Sequence, residues 1–150
     1  MTRIIVIGGG GHCRSCIDVI EAENLHQIAG IVQLTVDGEA DMMGYPVIAS
    51  DKDLALLRES YTHAFIGIGQ IKTASVRQQK FDVLCDLGYE LVSVVSPHAY
   101  VSPHSSMGRG SIIMHHAVVN AGAVVGDNCI VNNLALVEHD VVVGKHCHIS

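Results

Sequence analysis

Through the second half of the chain apolar positions recur every six residues: Val95, Val101, Met107, Ile113, Val119, Val125, Val131, Val137, Val143 and Ile149. Four residues after each of the first nine comes a small or β-branched residue: Ala99, Ser105, Ser111, Ala117, Ala123, Cys129, Ala135, Val141 and Cys147. Directly after the aliphatic position stand Gly108, Gly126 and Gly144 in three hexads and Asn120 and Asn132 in two more. These types tolerate left-handed backbone, so the corner of the repeat is expected there. A two-residue strand and a turn every six residues predicts a parallel β-helix. Three hexads make one triangular coil, and coils stack at roughly 4.8 Å. The aliphatic column fills the prism and the small column closes its corners, so both are core positions.

The first half has a different rhythm. Arg3 to Ile7 is a continuous apolar run, followed at once by Gly8–Gly11 and His12 and then by a helical pattern over Cys13 to Asn24. Gln27 to Val32 predicts a second strand. The segment Tyr45–Ser50 leads into a helix capped by Ser50, with Asp53 at the capping-box position, that runs to Ser60. Ala64 to Gly69 predicts a third strand, and Thr73 to Leu87 a helix with Arg, Gln and Lys on its outer face. Glu90 to Val95 predicts a fourth strand that continues into the prism. Alternating β and α elements imply a parallel, Rossmann-like α/β sheet over residues 1–95, with the β-helix over 96–150. The chain ends two residues into its tenth hexad, and an uncapped solenoid end exposes unpaired backbone. Further coils and a cap are therefore expected beyond Ser150.

Composition narrows the partners. A formal charge of −6 disfavours nucleic acid and anionic membranes, and no apolar run near the start is long enough for a signal or membrane span. We read a cytoplasmic, globular protein. Five scattered cysteines do not form a disulfide framework.

The glycine run only partly fits a dinucleotide fingerprint. Gly8 and Gly10 match, but Cys13 stands at the third glycine position. The acid expected after the second strand is replaced by Gln33-Leu34, with Asp37 and Glu39 only later. What remains is an anion-binding loop, bare backbone N–H groups at a helix N-terminus, suited to a sugar-nucleotide diphosphate. The plainer alternative is a tight strand-to-helix turn. Cys13 and Cys16 have CxxC spacing, and with no second CxxC they read as packing residues.

Seven of the ten histidines lie after residue 95. His98, His104, His115, His116 and His146 fall at corners or outward positions and read as solvated or inter-subunit residues. The group His98, His115 and His116 also admits a zinc-binding alternative. His139 stands apart because Glu138 and Asp140 flank it. A carboxylate that accepts one imidazole N–H fixes the tautomer and raises basicity, as a general base requires, whereas a solvated corner is the competing reading.

The strings GGGGH, GYPVI, GIGQIK, VVSPHAYVSP and NNLALVEHDVVVGKHCHIS resemble the sialic-acid O-acetyltransferase and UDP-4-amino-sugar N-acetyltransferase (PglD-like) family of hexapeptide-repeat acyltransferases. The resemblance implies a left-handed β-helix, a homotrimer, acetyl-CoA as co-substrate and a sugar or nucleotide sugar as acceptor, with no metal. It implies His139 as general base, Asp140 as its orienting carboxylate and Glu138 as the other candidate orienter. Asn132, His148 and Gly144 would support the acetyl group, and Gly8, Gly9, Gly10, Gly11 and His12 would hold the sugar side. His139 and His148 are half a coil apart, so serving one site would require different subunits. A metal-dependent lyase on the same prism and a non-catalytic sugar-nucleotide-binding protein are the alternatives.

Overall fold

The computed structural model describes residues 1–34, 41–70 and 72–150; Asp37 and Glu39 lie outside the described residues. Strand β1 (Thr2–Ile7) carries four consecutive aliphatic residues because both of its faces are covered. Ile4 and Val6 pack against helix α1 (Gly11–Glu23), and Ile5 and Ile7 point to the opposite face. β2 (His26–Gln33) and β5 (His63–Ile66) flank β1 in parallel. β4 (Tyr45–Ser50) extends the sheet beyond β2, and β6 (Glu90–Leu91) extends it beyond β5. The edge strand β3 (Asp41–Met42) pairs antiparallel with β4, so the sheet is not wholly parallel as its alternating pattern implies. Opposite α1, the sheet is covered by α2 (Leu54–Leu57) and α3 (Ser75–Asp86) through Leu54, Phe81 and Leu84.

Three boundaries differ from the pattern-based reading. The capping box forms, with Ser50 N–H donating to Asp53 Oδ2 at 3.1 Å, but the helix behind it does not reach Ser60. A short 3₁₀ turn is followed by a helix of only four residues. The third strand stops at Ile66 rather than Gly69, because Gly67 and Gly69 pass tightly beneath α1; a β-carbon on Gly69 would lie 3.0 Å from His12 Cβ. The fourth strand divides. Val92 N–H still donates to Ala64 O in the sheet, whereas Val94 N–H donates to Ser111 O in the β-helix, so the chain changes ladder partner between them.

The β-helix has three parallel sheets. The first holds β7 (Val94–Val95), β10 (Ile112–Ile113), β13 (Ile130–Val131) and β16 (His148–Ile149). The second holds β8 (Tyr100–Val101), β11 (Val118–Val119) and β14 (Leu136–Val137). The third holds β9 (Ser106–Met107), β12 (Val124–Val125) and β15 (Val142–Val143). Partners are one coil apart, as in Ile112 with Ile130, and the aliphatic column packs inside. The small column also bonds: Ser111 Oγ donates to Gly126 O at 2.7 Å and accepts Cys129 N–H at 2.9 Å.

The left-handed corner is not where the glycines and asparagines after the aliphatic position suggest. It falls two residues later, at Gly110, His116, Gly122, Asn128, Leu134, Asp140 and His146. Gly108 and Gly126 serve a different purpose. A β-carbon on Gly126 would lie 2.9 Å from Gly144 C and Lys145 N, so these glycines let successive coils stack closely.

The outward column of the first sheet joins the two halves. Val94, Ile112 and Ile130 are buried against Cys13, Cys16, Ile17 and Ile20 of α1, so the CxxC cysteines are the packing face of the helix. A second joint corrects the expectation that the arginine of α3 lies on its outer face. Arg77 is 1% exposed, with Nη1 donating to Ile66 O and Ile68 O and Nη2 to Asn128 O and Asn128 Oδ1.

Candidate active site

Where the C-terminal ends of β1 and β5 meet the N-terminus of α1, the Gly8–His12 loop borders a cavity of about 400 Å³. The glycines do not share one role. Gly8 is needed by the turn, since a β-carbon there would lie 2.7 Å from Gly67 O. A β-carbon on Gly10 or Gly11 would meet nothing within 4 Å among the described residues. Packing among the described residues does not require their lack of side chains, which leaves the backbone at the start of α1 open to the cavity.

His148, fourth in the outward column after Val94, Ile112 and Ile130, reaches the far wall of the same cavity. Its Nδ1 donates to Gln70 O at 3.2 Å, which leaves Nε2 as the acceptor; among the described residues this Nε2 is buried without a partner, as is Gln70 Oε1. His12 lines the cavity too, with Cys16 Sγ 3.2 Å from its Nε2. Burial, the Arg77 guanidinium and His148 push the His12 pKa down to about 4. Burial likewise raises the Cys13 thiol to about 11 and Cys16 further, which keeps both thiols protonated. Gln70 and Arg77, which our reading of the sequence missed, thus belong to the wall and its support.

His139 lies at the corner between the second and third sheets, facing away from that cavity and exposed. Its Nδ1 is 3.0 Å from Asp140 Oδ2, and its backbone N–H donates to Glu138 Oε1 at 3.0 Å. The bond to Asp140, followed by the charges of Asp140 and Glu138, raises the His139 pKa. Glu138 is held on its charged side chiefly by the Asn120 amide, which donates to Oε1 at 2.7 Å. Asn132 occupies the corner between the first and second sheets, where its Oδ1 accepts Asn133 N–H, and Gly144 the corner between the third and first. Within one chain His139, Asn132 and Gly144 therefore sit at three different corners, and only His148 joins the glycine loop.

Two of the remaining histidines are more engaged than solvated corners would be. His115 bonds Ser96 Oγ through Nδ1 and Asp18 Oδ2 through Nε2, and His146 Nδ1 meets Asn128 Nδ2 at 2.9 Å. His98 stacks obliquely with His115 and His116 at 5.6 and 5.9 Å between centroids, but among the described residues no group of three potential ligands could hold a metal ion. Among these residues no helix is long and apolar enough to cross a membrane.

A family model for the PglD N-terminal domain matches residues 3–84. The chain belongs to the PglD-like family of sugar acetyltransferases. It is an acyltransferase. A perosamine N-acetyltransferase from Caulobacter crescentus, solved as a histidine-to-asparagine mutant with CoA and GDP-perosamine, is 32% identical with a TM-score of 0.88; the match covers 99% of this chain and 68% of that one. The acetyltransferase domain of PglB from Neisseria gonorrhoeae, solved with acetyl coenzyme A, is 31% identical with a TM-score of 0.85, over 97% and 69% of the two chains. WeeI from Acinetobacter baumannii, 21% identical with a TM-score of 0.80 over 98% and 69%, shares the fold. No curated protein matches the chain. In this PglD-like chain His148 faces the glycine loop across one cavity, and the His139 corner is exposed.

Proposed function

We propose that this protein transfers an acetyl group from acetyl-CoA to the amine of a sugar carried on a nucleoside diphosphate. In this reading residues 1–95 hold the sugar nucleotide, residues 96–150 form a left-handed β-helix, and the site is completed in a homotrimer. The observation that carries it is the cavity at the glycine loop. Gly10 and Gly11 leave the α1 N-terminus bare, a setting that favours a diphosphate, while His148 Nε2 and Gln70 Oε1 have no partner among the described residues in the wall opposite. The perosamine enzyme, solved with CoA and GDP-perosamine, and the PglB domain, solved with acetyl coenzyme A, support the donor and the acceptor class.

The His139 corner fits the donor side. It is flanked by exposed apolar Leu136 and Val142, which suit an aliphatic arm and the face of a second copy. Acetyl-CoA supplies an acetyl group activated as a thioester, which the amine nitrogen attacks with release of the coenzyme thiol. His139 takes the amine proton at Nε2, because Nδ1 is committed to Asp140, and the imidazolium then returns a proton to the departing sulfur. Asp140 fixes the tautomer, Glu138 steadies the His139 backbone, and Asn132, His148 and Gly144 of neighbouring copies complete the acetyl pocket.

The test is acetyl-CoA turnover followed by thiol release, with GDP- and UDP-linked 4-amino sugars and free sialic acids as acceptors. Release with a nucleotide-linked amino sugar alone is expected. Release with sialic acids alone would replace N-transfer by O-transfer. No release with any acceptor, while sugar nucleotide still binds, would make the chain a binding module.

A further inference from the structure

We infer that Asn120 and Gly122, one coil below the His139 corner, are positioning residues for the His139–Asp140 pair. The inference rests on the reading of His139 as the base and adds the platform that orients it. Asn120 holds Glu138 from below: its Nδ2 donates to Glu138 Oε1, and its own Oδ1 accepts Ala121 N–H at 2.7 Å, which fixes the amide plane. Glu138 Oε1 in turn accepts His139 N–H, and Asp140 N–H donates to Ala121 O at 3.0 Å. The whole VEHD turn is thus hydrogen-bonded to residues 120 and 121.

Gly122 supplies the remaining constraint by what it lacks. A β-carbon there would lie 2.1 Å from Asp140 Oδ1 and 3.2 Å from its Cγ. The carboxylate is seated in the space of the missing side chain, with Oδ1 over Gly122 and Oδ2 on His139 Nδ1. Backbone conformation alone does not explain the glycine. Gly122 has φ +77, but the equivalent corner position carries His116, Asn128, Leu134 and His146 at φ between 56 and 65. What distinguishes this corner is the carboxylate stacked upon it. Moving that carboxylate would break the contact that holds the imidazole, and active-site geometry is only as good as the shell that supports it.

The test compares the NMR titration of the His139 ring in the full chain with that in Gly122→Ala and Asn120→Ala, the resonance being assigned with His139→Gln. Asp140 and Glu138 are the charged groups that act on this ring. In Gly122→Ala the His139 midpoint is expected to fall toward the ordinary imidazole value and the ring to lose its preference for the Nδ1–H tautomer. Asn120→Ala is expected to shift it the same way by less. With the acceptor identified, kcat in Gly122→Ala should fall at least about tenfold with KM little changed, as for a loss confined to the transition state. Leu134→Ala, at an equivalent corner, should leave the titration where it is. A wild-type titration in a folded Gly122→Ala would overturn the role of Gly122, and one in Asn120→Ala would overturn that of Asn120 even where Gly122→Ala does not fold. A shifted titration together with full turnover by His139→Gln would instead uphold the placement and reject His139 as the base.

Discussion

Arg77 Nη2 lies 2.7 Å from Asn128 Oδ1, and this contact spans the junction between the α/β sheet and the β-helix. Asn128 is at a left-handed corner with φ 56, and its Nδ2 faces both Arg77 O and His146 Nδ1, so the pair is buried and bonded from both sides. Among the described residues the guanidinium has no carboxylate partner: Nη1 and Nη2 donate to carbonyl oxygens, and Nε is buried without an acceptor. Burial accordingly lowers its pKa to about 10.

Arg77→Met should therefore destabilise the chain by about 3 kcal/mol, because it takes the arginine's donors away from several buried carbonyl oxygens. Urea unfolding is the measurement. Since Ile68 O is one of those acceptors and Ile68 lines the glycine-loop cavity, the same variant should also weaken sugar-nucleotide binding.

Gly8 and Gly10 should separate stability from binding. Gly8→Ala forces a β-carbon onto Gly67 O and should cost about 2 kcal/mol. Gly10→Ala meets open space among the described residues and, at the α1 N-cap, should cost less than Gly8→Ala, up to about 1 kcal/mol. It should still weaken sugar-nucleotide affinity by about tenfold, close to 1.4 kcal/mol, by intruding on the cavity. Calorimetric titration beside thermal melts reads both quantities.

His12 should make the fold acid-sensitive. Its native pKa is near 4 and its unfolded value near 6.5, so between these pH values the unfolded chain binds the extra proton. The stability it contributes is complete above pH 6.5 and is lost as pH falls toward 4, by up to about 3 kcal/mol. His26, whose pKa burial also lowers, adds a slope of the same sign. His12→Gln should flatten the dependence of unfolding free energy on pH in this window, and an unchanged slope would place the effect elsewhere.

Turnover should depend on the His139 pair in a particular way. His139→Ala should lower kcat by two decades or more without unfolding the chain, since the side chain is exposed. A base must be neutral, so kcat should rise with pH through the raised His139 pKa. Asp140→Asn should lower the plateau and move that limb to lower pH, because the bond and charge that raise the pKa are gone. A pH profile of kcat for the two variants is the check.

The hexad core and the βαβ order were legible in the chain because burial repeats at a fixed spacing: every sixth residue meets the prism interior, and Ile4 to Ile7 is apolar on both faces. The corner is not legible in the chain because its occupants, from Gly110 to His146, share a backbone angle and no side-chain chemistry. Gly108 and Gly126 have the composition of turn residues, although what they permit is contact with the coil above. The chemical character of His139 was legible because its partners are its neighbours in sequence.

Contacts made across the fold carried no such local sign. Arg77 sits in a polar helix pattern, and its acceptors belong to residues 66, 68 and 128. His148 reads as one more outward residue until its Nδ1 meets the carbonyl of Gln70, 78 positions away. Gly122 reads as an ordinary corner glycine until Asp140 is placed over it. Local order follows from short-range periodicity and propensity, which a linear chain displays. The cavity wall, the buried arginine and the seat of the carboxylate arise when distant segments exclude water together, and their positions exist only once the two halves have packed.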